Sequence, residues 1–385
     1  MFLQWVVLVA GAILTSAAAW SYSGANGAWQ EAVRVETARS NAFQEQVRAV
    51  YGDEAPAAFR VVMLLMQTET LEKLDDANRL AASQGEAAKQ TAFALQAGAS
   101  PESLVHRVDS DGADVPGRLA GLIATEAAKR RQPAENPDAL AAEGDAAALL
   151  GGQTALVTVL VTGLAVAAAL RLSRRRAPLQ DGDIELFPQP GIAPSGQRRM
   201  STLLLTLWAA GIVLPLAQLA LGAEEQRSQG TSARLAIQLT SDTAISLTRS
   251  GFQTQARTTA KELGLYATGR DIGTVYGLDP KSEQAVAERA VARAEERVAL
   301  RAEEVAVEMG RAPRPEDNLP PRVVTALLSQ EKDWKALGKR QNDETDRSEL
   351  FGNLSNLAVV LIGVIVGLEG TAEWTAQRRA RGNGR

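Results

Sequence analysis

The chain has 385 residues, a net charge of −4 and no cysteine, which excludes disulfides, thiolate metal sites and cysteine nucleophiles. His106 is its single histidine, so a multi-histidine zinc site is excluded as well. The small net charge indicates no nucleic-acid partner. Aromatic residues make up 4% of the chain and alanine is abundant, a composition that favours helices over strands. We therefore predict an all-α protein.

Four apolar runs are each about long enough to cross a hydrocarbon core of ~30 Å as a helix. The predicted organisation, in chain order, is a transmembrane helix at 1–22, an extracytoplasmic helical domain at 23–148, a transmembrane helix at 149–172, a basic, proline-rich cytoplasmic loop at 173–201, a transmembrane helix at 202–222, an extracytoplasmic helical domain at 223–353, a transmembrane helix at 354–370 and an arginine-rich cytoplasmic tail at 371–385. The sequence thus predicts a multi-pass membrane protein whose outer domains are helical bundles or coiled coils.

Arginines near the ends of the spans set the predicted orientation. Arg174, Arg175 and Arg176 open the loop after the second span, and Arg378 and Arg379 lie in the tail. Positively charged short loops remain in the cytoplasm, so both termini are predicted to be cytoplasmic. The alanine- and arginine-rich composition favours a bacterial plasma membrane as the location.

The first apolar run also has an interpretation as a cleaved signal peptide. Ala17, Ala18 and Ala19 supply the small residues of a cleavage site. However, no lysine or arginine precedes the run, and it is longer than a signal core of ~7–15 residues. These two observations favour an uncleaved anchor.

The first outer stretch is predicted to contain helices separated by glycine and proline. An amphipathic helix should end near Val50, because Gly52 and Pro56 punctuate the segment that follows. The further predicted helices lie at 56–96, 101–108 and 117–132, and an alanine-rich segment at 135–150 leads into the second span.

The second outer stretch is predicted to contain helices at 224–265, 281–309 and 321–350, with a glycine-rich turn at 266–280. Tyrosine and arginine in an exposed loop favour partner recognition, and a plain interhelical loop is the alternative. The predicted partner-binding residues of this turn are Tyr266, Arg270, Asp271 and Tyr276.

Two further patterns bear on architecture. Gly363 and Gly367 form a G-x-x-x-G pattern in the fourth span and are predicted to pack against another helix. The segments 51–56 and 276–280 both contain Tyr-Gly, an aspartate and a proline. This match suggests an internal duplication of the two halves.

The segment Asp109–Asp114 has the carboxylates and the glycine of a calcium loop, but its spacing differs from the EF-hand pattern. The glycine comes fourth instead of sixth, and the twelfth residue is Ala120. We therefore predict a solvated turn, and we interpret His106 beside it as a surface or packing residue. No catalytic, cofactor-binding or metal-binding residue is predicted.

The distribution of polar residues motivates the functional prediction. Most of them lie in the two outer stretches, which resemble in general layout the helical-bundle sensor domains of bacterial receptors. We expect a non-enzymatic plasma-membrane protein that acts in sensing, partner binding or envelope scaffolding, in contact with lipid and with a protein partner or further copies of itself. The alternative is a subunit of an oligomeric channel or transporter, motivated by Thr158 and Thr162 in the second span.

Overall fold

A computed structural model describes residues 2–74, 78–129, 135–175 and 194–382. The residues in these four ranges are 90% helical and contain no strand, which confirms the predicted all-α class. The α-helices of the described residues are α1 (Phe2–Val47), α2 (Ala55–Glu72), α3 (Arg79–Gly98), α4 (Leu104–Arg107), α5 (Val115–Lys129), α6 (Pro137–Arg175), α7 (Pro194–Gly277), α8 (Glu283–Met309), α9 (Pro321–Leu328) and α10 (Glu331–Gly382).

The predicted break at 51–56 is wrong, because a π-helix over Arg48–Glu54 joins α1 directly to α2. Pro56 has no N–H group, and its ring clashes with a carbonyl one turn earlier in a regular α-helix. The wider π turn accommodates the proline, and the Ala55 N–H donates to the Val50 carbonyl five residues back. A change of helix type therefore replaces the break.

The sequence predicted a single helix over 56–96, but the structure has two helices there, α2 and α3. A short connection after Glu72 separates them. Asn78 caps α3, since its side-chain oxygen accepts a hydrogen bond from the Ala81 N–H at 3.1 Å. The two helices meet closely at Gly85, where an added Cβ would lie 3.5 Å from Leu71 Cβ. Residues 75–77 lie outside the described part of the chain.

The remaining helices predicted for the outer stretches are present in the structure, but some of them begin or end at other residues than predicted. The charged helix predicted at 281–309 is confirmed as α8, and Ser282 Oγ caps it by accepting from the Ala285 N–H at 3.1 Å. The helix predicted at 321–350 is interrupted at Ser329, where the backbone is extended between α9 and α10. The short helices α4 and α5 are present, and α6 runs from the alanine-rich segment into the second apolar run.

The chain divides into two compact units. Unit 1 comprises Met1–Glu36, Glu135–Ala236 and Lys339–Arg385, and unit 2 comprises Thr37–Ala134 and Ile237–Gly338. Unit 2 draws on both of the long polar stretches, for which the sequence analysis predicted two separate domains. An amphipathic helix needs a partner for its apolar face, and the two stretches supply this partner to each other.

The core of unit 2 contains buried residues from both of its segments. Tyr51 and Phe252 pack edge to face with their ring centres 6.3 Å apart. Other buried apolar side chains of this core include Phe59, Val62, Met66, Leu119, Ile245, Val298, Met309 and Leu327. Burial of this apolar surface is the main favourable term in the folding of unit 2.

Unit 1 is held by close approach of α1, α6 and α7. Tyr22 and Trp29 of α1 are buried with Leu216 of α7. A Cβ added at Gly144 of α6 would lie 2.5 Å from Trp29 Nε1, and one at Gly151 would lie 3.2 Å from the Tyr22 ring. Glycine at both positions therefore lets α6 pass directly over the two aromatic rings.

Two helices of the described residues are long and apolar enough to cross a membrane. These segments are Pro137–Ala168 of α6 and Glu331–Leu368 of α10, and they overlap most of the predicted second and fourth spans. The first and third spans and the direction of all four stay predictions. Most of the predicted loop at 173–201, including Arg176, lies outside the described residues.

Candidate functional site

The predicted partner-binding turn at 266–280 is wrong as a loop, because α7 continues through it to Gly277. Only a short connection then leads to Ser282 at the start of α8. Three glycines lie in the last three turns of α7, and each costs ~1 kcal/mol of helix stability relative to alanine. The contacts of Arg270 with neighbouring helices offset this cost and keep the segment helical.

Arg270 projects from α7 into a cluster that involves three helices of unit 2. Its guanidinium Nη1 lies 3.0 Å from Glu295 Oε1 of α8 and 3.3 Å from Gln84 Oε1 of α3. Its Nε lies 3.6 Å from Oε2 of Glu288, which precedes Glu295 by two turns of α8. The guanidinium also lies over the Tyr266 ring, 5.3 Å from the ring centre. Arg270 is thus a structural anchor instead of the exposed recognition residue that the sequence predicted.

The other three predicted residues of this segment differ in exposure. Tyr266 and Tyr276 are exposed at the surface of α7. Asp271 is half-buried, and its backbone carbonyl accepts a hydrogen bond from the Thr274 hydroxyl at 2.6 Å. The two tyrosines therefore remain available for recognition, while Arg270 and Asp271 face into unit 2 or along its helix.

The end of α7 carries a set of exposed apolar side chains that we name the α7 patch. Leu265, Ile272 and Tyr276 follow one another at intervals of seven and four residues, so they share one helical face. Tyr266 and Val275 flank this face, and the five side chains are between 52% and 87% exposed. Contiguous apolar surface of this kind marks interaction sites in water-soluble domains.

A depression of unit 2 with a volume of about 590 Å³ lies between α5 and the connection that follows α8. Its floor consists of small residues of α5, and its wall includes Arg311, Arg314 and Asp317. Arg311 donates two hydrogen bonds to the Asp317 carboxylate, at 2.7 and 2.8 Å, and it also lies 3.1 Å from Asp114. The charges of this wall are therefore largely paired with each other.

Hydrogen bonds to Arg311 hold the pKa of the Asp317 carboxyl below its ordinary value, and burial opposes this shift only in part. The same pairing raises the pKa of the Arg311 guanidinium. Asp317 also accepts from the Arg314 backbone N–H at 2.6 Å, which fixes the short 3₁₀-helix Pro315–Asp317. The cluster joins the connection after α8 to Asp114, the residue before α5, and the sequence did not predict this contact because 197 residues separate Asp114 from Arg311.

The segment Asp109–Asp114 is a turn, as predicted. Asp109 and Gly112 form an isolated bridge, and Gly112 has a φ of 121°, which favours glycine. The carboxylates of Asp111 and Asp114 pair with Arg301 and Arg311, at 2.6 and 3.1 Å. His106 is exposed nearby, and its Nδ1 lies 3.2 Å from the Gln96 carbonyl.

The π-helix places Tyr51 in the core of unit 2. Burial raises the pKa of Tyr51 to about 12, so its hydroxyl stays protonated. Close to it, Arg249 donates to the Gly310 carbonyl at 3.1 Å and to the Leu327 carbonyl at 3.0 Å. These bonds satisfy carbonyls at the ends of α8 and α9, and this is a structural role. The matching Tyr276-Gly277 pair lies at the end of α7, so the two motifs occupy different local structures.

Gly363 and Gly367 have no packing partner among the described residues, so their predicted packing against another helix stays a prediction. A Cβ added at either position would meet no other atom within 4 Å. The surrounding side chains of α10, among them Val360 and Val364, are exposed, and Ala358 is the buried residue of this segment. The two glycines therefore face away from the rest of unit 1.

No protein-family model, curated protein or solved structure matches this chain. The functional argument consequently rests on the contacts, exposure and charges of the described residues.

Proposed function

We propose that this protein is a non-enzymatic, multi-pass membrane protein of the bacterial envelope that presents unit 2 outside the cytoplasm for binding a protein partner. Unit 1 is the membrane anchor in this proposal, and the α7 patch is the partner-binding surface. The observation that carries the proposal is the exposure of Leu265, Ile272 and Tyr276 on one face of α7.

The exposed apolar residues of unit 1 support a membrane location for α1 as well as for α6 and α10, the two helices that are long and apolar enough to cross a membrane. Val9, Ile13 and Trp20 of α1 are exposed, as are many aliphatic residues of α6 and α10. In water, an exposed apolar surface of this extent would promote aggregation, whereas lipid covers it without cost. With the arginine distribution, this favours four spans with both termini in the cytoplasm.

A polar layer follows the apolar part of unit 1 and supports the same boundary. Asp145 of α6 accepts a hydrogen bond from Trp29 Nε1 at 3.2 Å and pairs with Arg227 Nε at 2.8 Å. Tryptophan with a buried ring and a polar N–H is enriched where an apolar region meets a wet one. We therefore propose that the extracytoplasmic surface of the bilayer lies near these residues.

The composition of the α7 patch favours a protein partner over lipid. Its tyrosines are typical of protein interfaces, where aromatic side chains supply most of the binding energy. The Arg270 guanidinium packs on the Tyr266 ring and holds this side chain of the patch in place. The surface is therefore preorganised, and binding costs little conformational entropy there.

The pairing of charged groups supports binding in place of catalysis. At the depression beside α5, Arg311 is engaged by Asp317 and Asp114, and Asp317 keeps a lowered pKa. A general acid or base at neutral pH needs a pKa near 7, which this pairing opposes. The proposed activity is therefore recognition by a shaped surface.

Residue-specific photo-crosslinking in native membranes tests the proposal. A photoreactive amino acid at position 272 or 276 is expected to form an adduct with one defined protein. The same amino acid at Leu300, which is 62% exposed on α8, is the matched control and should form none. Equal adducts from positions 276 and 300, or no adduct from the patch, would contradict the proposal.

A second candidate function is a subunit of an oligomeric channel. The outward-facing Gly363 and Gly367 favour it, because small residues let helices of different chains approach closely in lipid. Against it, Thr158 and Thr162 are buried within unit 1, and the Thr158 hydroxyl donates to the Thr154 carbonyl of its own helix at 2.8 Å. Solute flux in liposomes that disappears when Thr158 and Thr162 are replaced by leucine would favour the channel.

A further inference from the structure

The cluster around Arg270 has more negative than positive charge. Among the described residues, Arg270 is the cation that pairs with both Glu288 and Glu295, at 3.6 and 3.0 Å. Its third partner, Gln84 of α3, is neutral. The three charged groups therefore sum to a net charge of −1 when both carboxyls are ionised, and a single proton makes the cluster neutral.

Glu295 is the member of the cluster from which water is most fully excluded. Its side chain is 4% exposed, whereas that of Glu288 is 25% exposed. Its Oε1 accepts from Arg270, while its Oε2 is buried without a hydrogen-bond partner among the described residues. An ionised carboxylate with one unsatisfied buried oxygen is costly, and protonation removes much of this cost.

The elements packed around Glu295 supply few other charges. Leu71 of α2, Ala81 of α3 and Val291 of α8 form the apolar cluster beside it. The charged groups that act on its carboxyl are Arg270 from α7 and Glu288 from α8. Burial raises the pKa of Glu295, Arg270 opposes the shift, and repulsion from Glu288 adds to it.

We propose that this cluster is an acid-sensitive switch, in which a proton from solvent binds the Glu295 carboxylate and Arg270 shifts its ion pairing towards Glu288. The inference rests on the proposed function, because the switch acts on the base of the α7 patch. Arg270 lies over the Tyr266 ring, so a change in its pairing changes the support of that tyrosine. The partner surface is then in one state near neutral pH and in another in acid.

The sign of the stability effect follows from the direction of the shift. The folded-state pKa of Glu295 is above its unfolded value, so the protonated form is favoured by folding. The associated stability is fully present below the unfolded pKa and is lost as pH rises through the folded pKa. Mild acid is therefore expected to strengthen the packing of α8 at Glu295 while it releases Arg270 from that residue.

The experiment uses the full-length protein in lipid nanodiscs. Because the chain has no cysteine, Ile272→Cys provides a single thiol for an environment-sensitive fluorophore next to the cluster. Spectra are compared at about pH 7.5 and about pH 5.5, both above the ordinary glutamate pKa of about 4.3, so that ordinary glutamates stay ionised. We expect a shift of the emission maximum, together with a gained infrared band of a protonated carboxyl.

Matched variants assign these signals to the cluster. Glu295→Gln is expected to lose both the infrared band and the emission shift, and Glu288→Gln should move the midpoint to lower pH because a repelling charge is removed. Glu296→Gln, an exposed neighbour on the same helix, should behave like the parent. Persistence of both signals in Glu295→Gln, or their absence in the parent protein, would overturn the switch.

The two proposals fail in different ways. The crosslinking test is carried out at neutral pH, where the switch is in one state, so loss of the switch leaves the adducts from positions 272 and 276 intact. An intact titration without any adduct would instead contradict the partner-binding function and with it the role of the switch.

Discussion

The two units of the protein differ in the balance of residues that they bury and expose. Unit 2 buries large aliphatic and aromatic side chains such as Met66 and Ile245, and it pairs its charges at the surface. Unit 1 buries alanines, Tyr22 and Trp29, while Leu160 and Val360 are exposed. In water, burial of large apolar groups drives folding, whereas in lipid it gives no advantage and close packing of small residues holds helices together. The contrast is the pattern expected of two units that fold in two different solvents.

The largest expected effect concerns the ion pairs of unit 2. Asp317→Ala removes the carboxylate from Arg311, whose side chain is 15% exposed, and leaves the Arg314 N–H without its acceptor. Arg311 keeps Asp114 as a partner, but it loses two hydrogen bonds to a charged group that are each worth about 1.5–3 kcal/mol, so we expect a cost of about 3–5 kcal/mol. The urea midpoint of unit 2, followed by protease resistance in the full-length protein, should fall accordingly. Glu316→Ala, at the exposed neighbouring position, should leave the midpoint unchanged.

The same residue gives a pH dependence opposite to that of Glu295. The pKa of Asp317 is lowered in the folded state, so its contribution is present above its unfolded pKa and is lost as pH falls through the folded value. The stability difference between parent and Asp317→Ala should therefore shrink in strong acid. A difference that stays constant down to the lowest pH would mean that Asp317 is not ionised in the fold.

A matched pair of arginine substitutions tests the two-solvent interpretation directly. Val360 of unit 1 and Leu300 of unit 2 are 61% and 62% exposed. Val360→Arg should disfavour membrane insertion of α10 by about 3 kcal/mol, as measured by protease protection of its ends. Leu300→Arg should change stability by no more than about 0.5 kcal/mol. Equal tolerance of both changes would break the comparison.

Close packing in unit 1 is tested at Gly144. Gly144→Val would place atoms against Trp29 and within 3.1 Å of the Ala25 carbonyl, which is backbone and cannot move aside easily. Overpacking of this kind costs about 1–3 kcal/mol. Thermal aggregation of the protein in detergent should begin at a lower temperature. Gly163→Val is the control in the same helix, since a Cβ there meets nothing within 4 Å.

The smallest effect is expected at a helix cap of unit 2. Ser282→Ala removes the oxygen that accepts from the Ala285 N–H, which costs about 1 kcal/mol. Hydrogen exchange of the first turn of α8 should become faster, while exchange near Met309 at its other end stays the same. Faster exchange along all of α8 would indicate that the cap also holds the helix in place.

Sequence patterns predicted the helices that carry strong local signals. The charged segment beginning at Glu283 has its cap at Ser282, and the structure places α8 there. The patterns misjudged glycine and proline where tertiary contacts override local preference. Gly269, Gly273 and Gly277 suggested a loop, yet Arg270 pairs with α8 and the helix continues.

The candidate sites were less accessible to sequence reasoning. Arg270 contacts Gln84, and Arg311 contacts Asp114, across 186 and 197 residues of chain. Such distances carry no local pattern in a single sequence. The exposed tyrosines at 266 and 276 were found because they stand out in a chain with few aromatic residues, although they lie on a helix and not in a loop. The shared core of unit 2 was missed because each polar stretch reads as a sufficient domain alone.

The π-helix at Arg48–Glu54 also sets the rotational register of the helix that contains it. An α-helix turns by about 100° per residue, so removing one residue from a π turn restores α geometry and rotates everything before it by about that angle. A deletion at Asp53 would thus turn Val47 away from the core residues that now surround it, while α2 keeps its place. One residue of this segment therefore determines which face of the preceding helix is buried in unit 2.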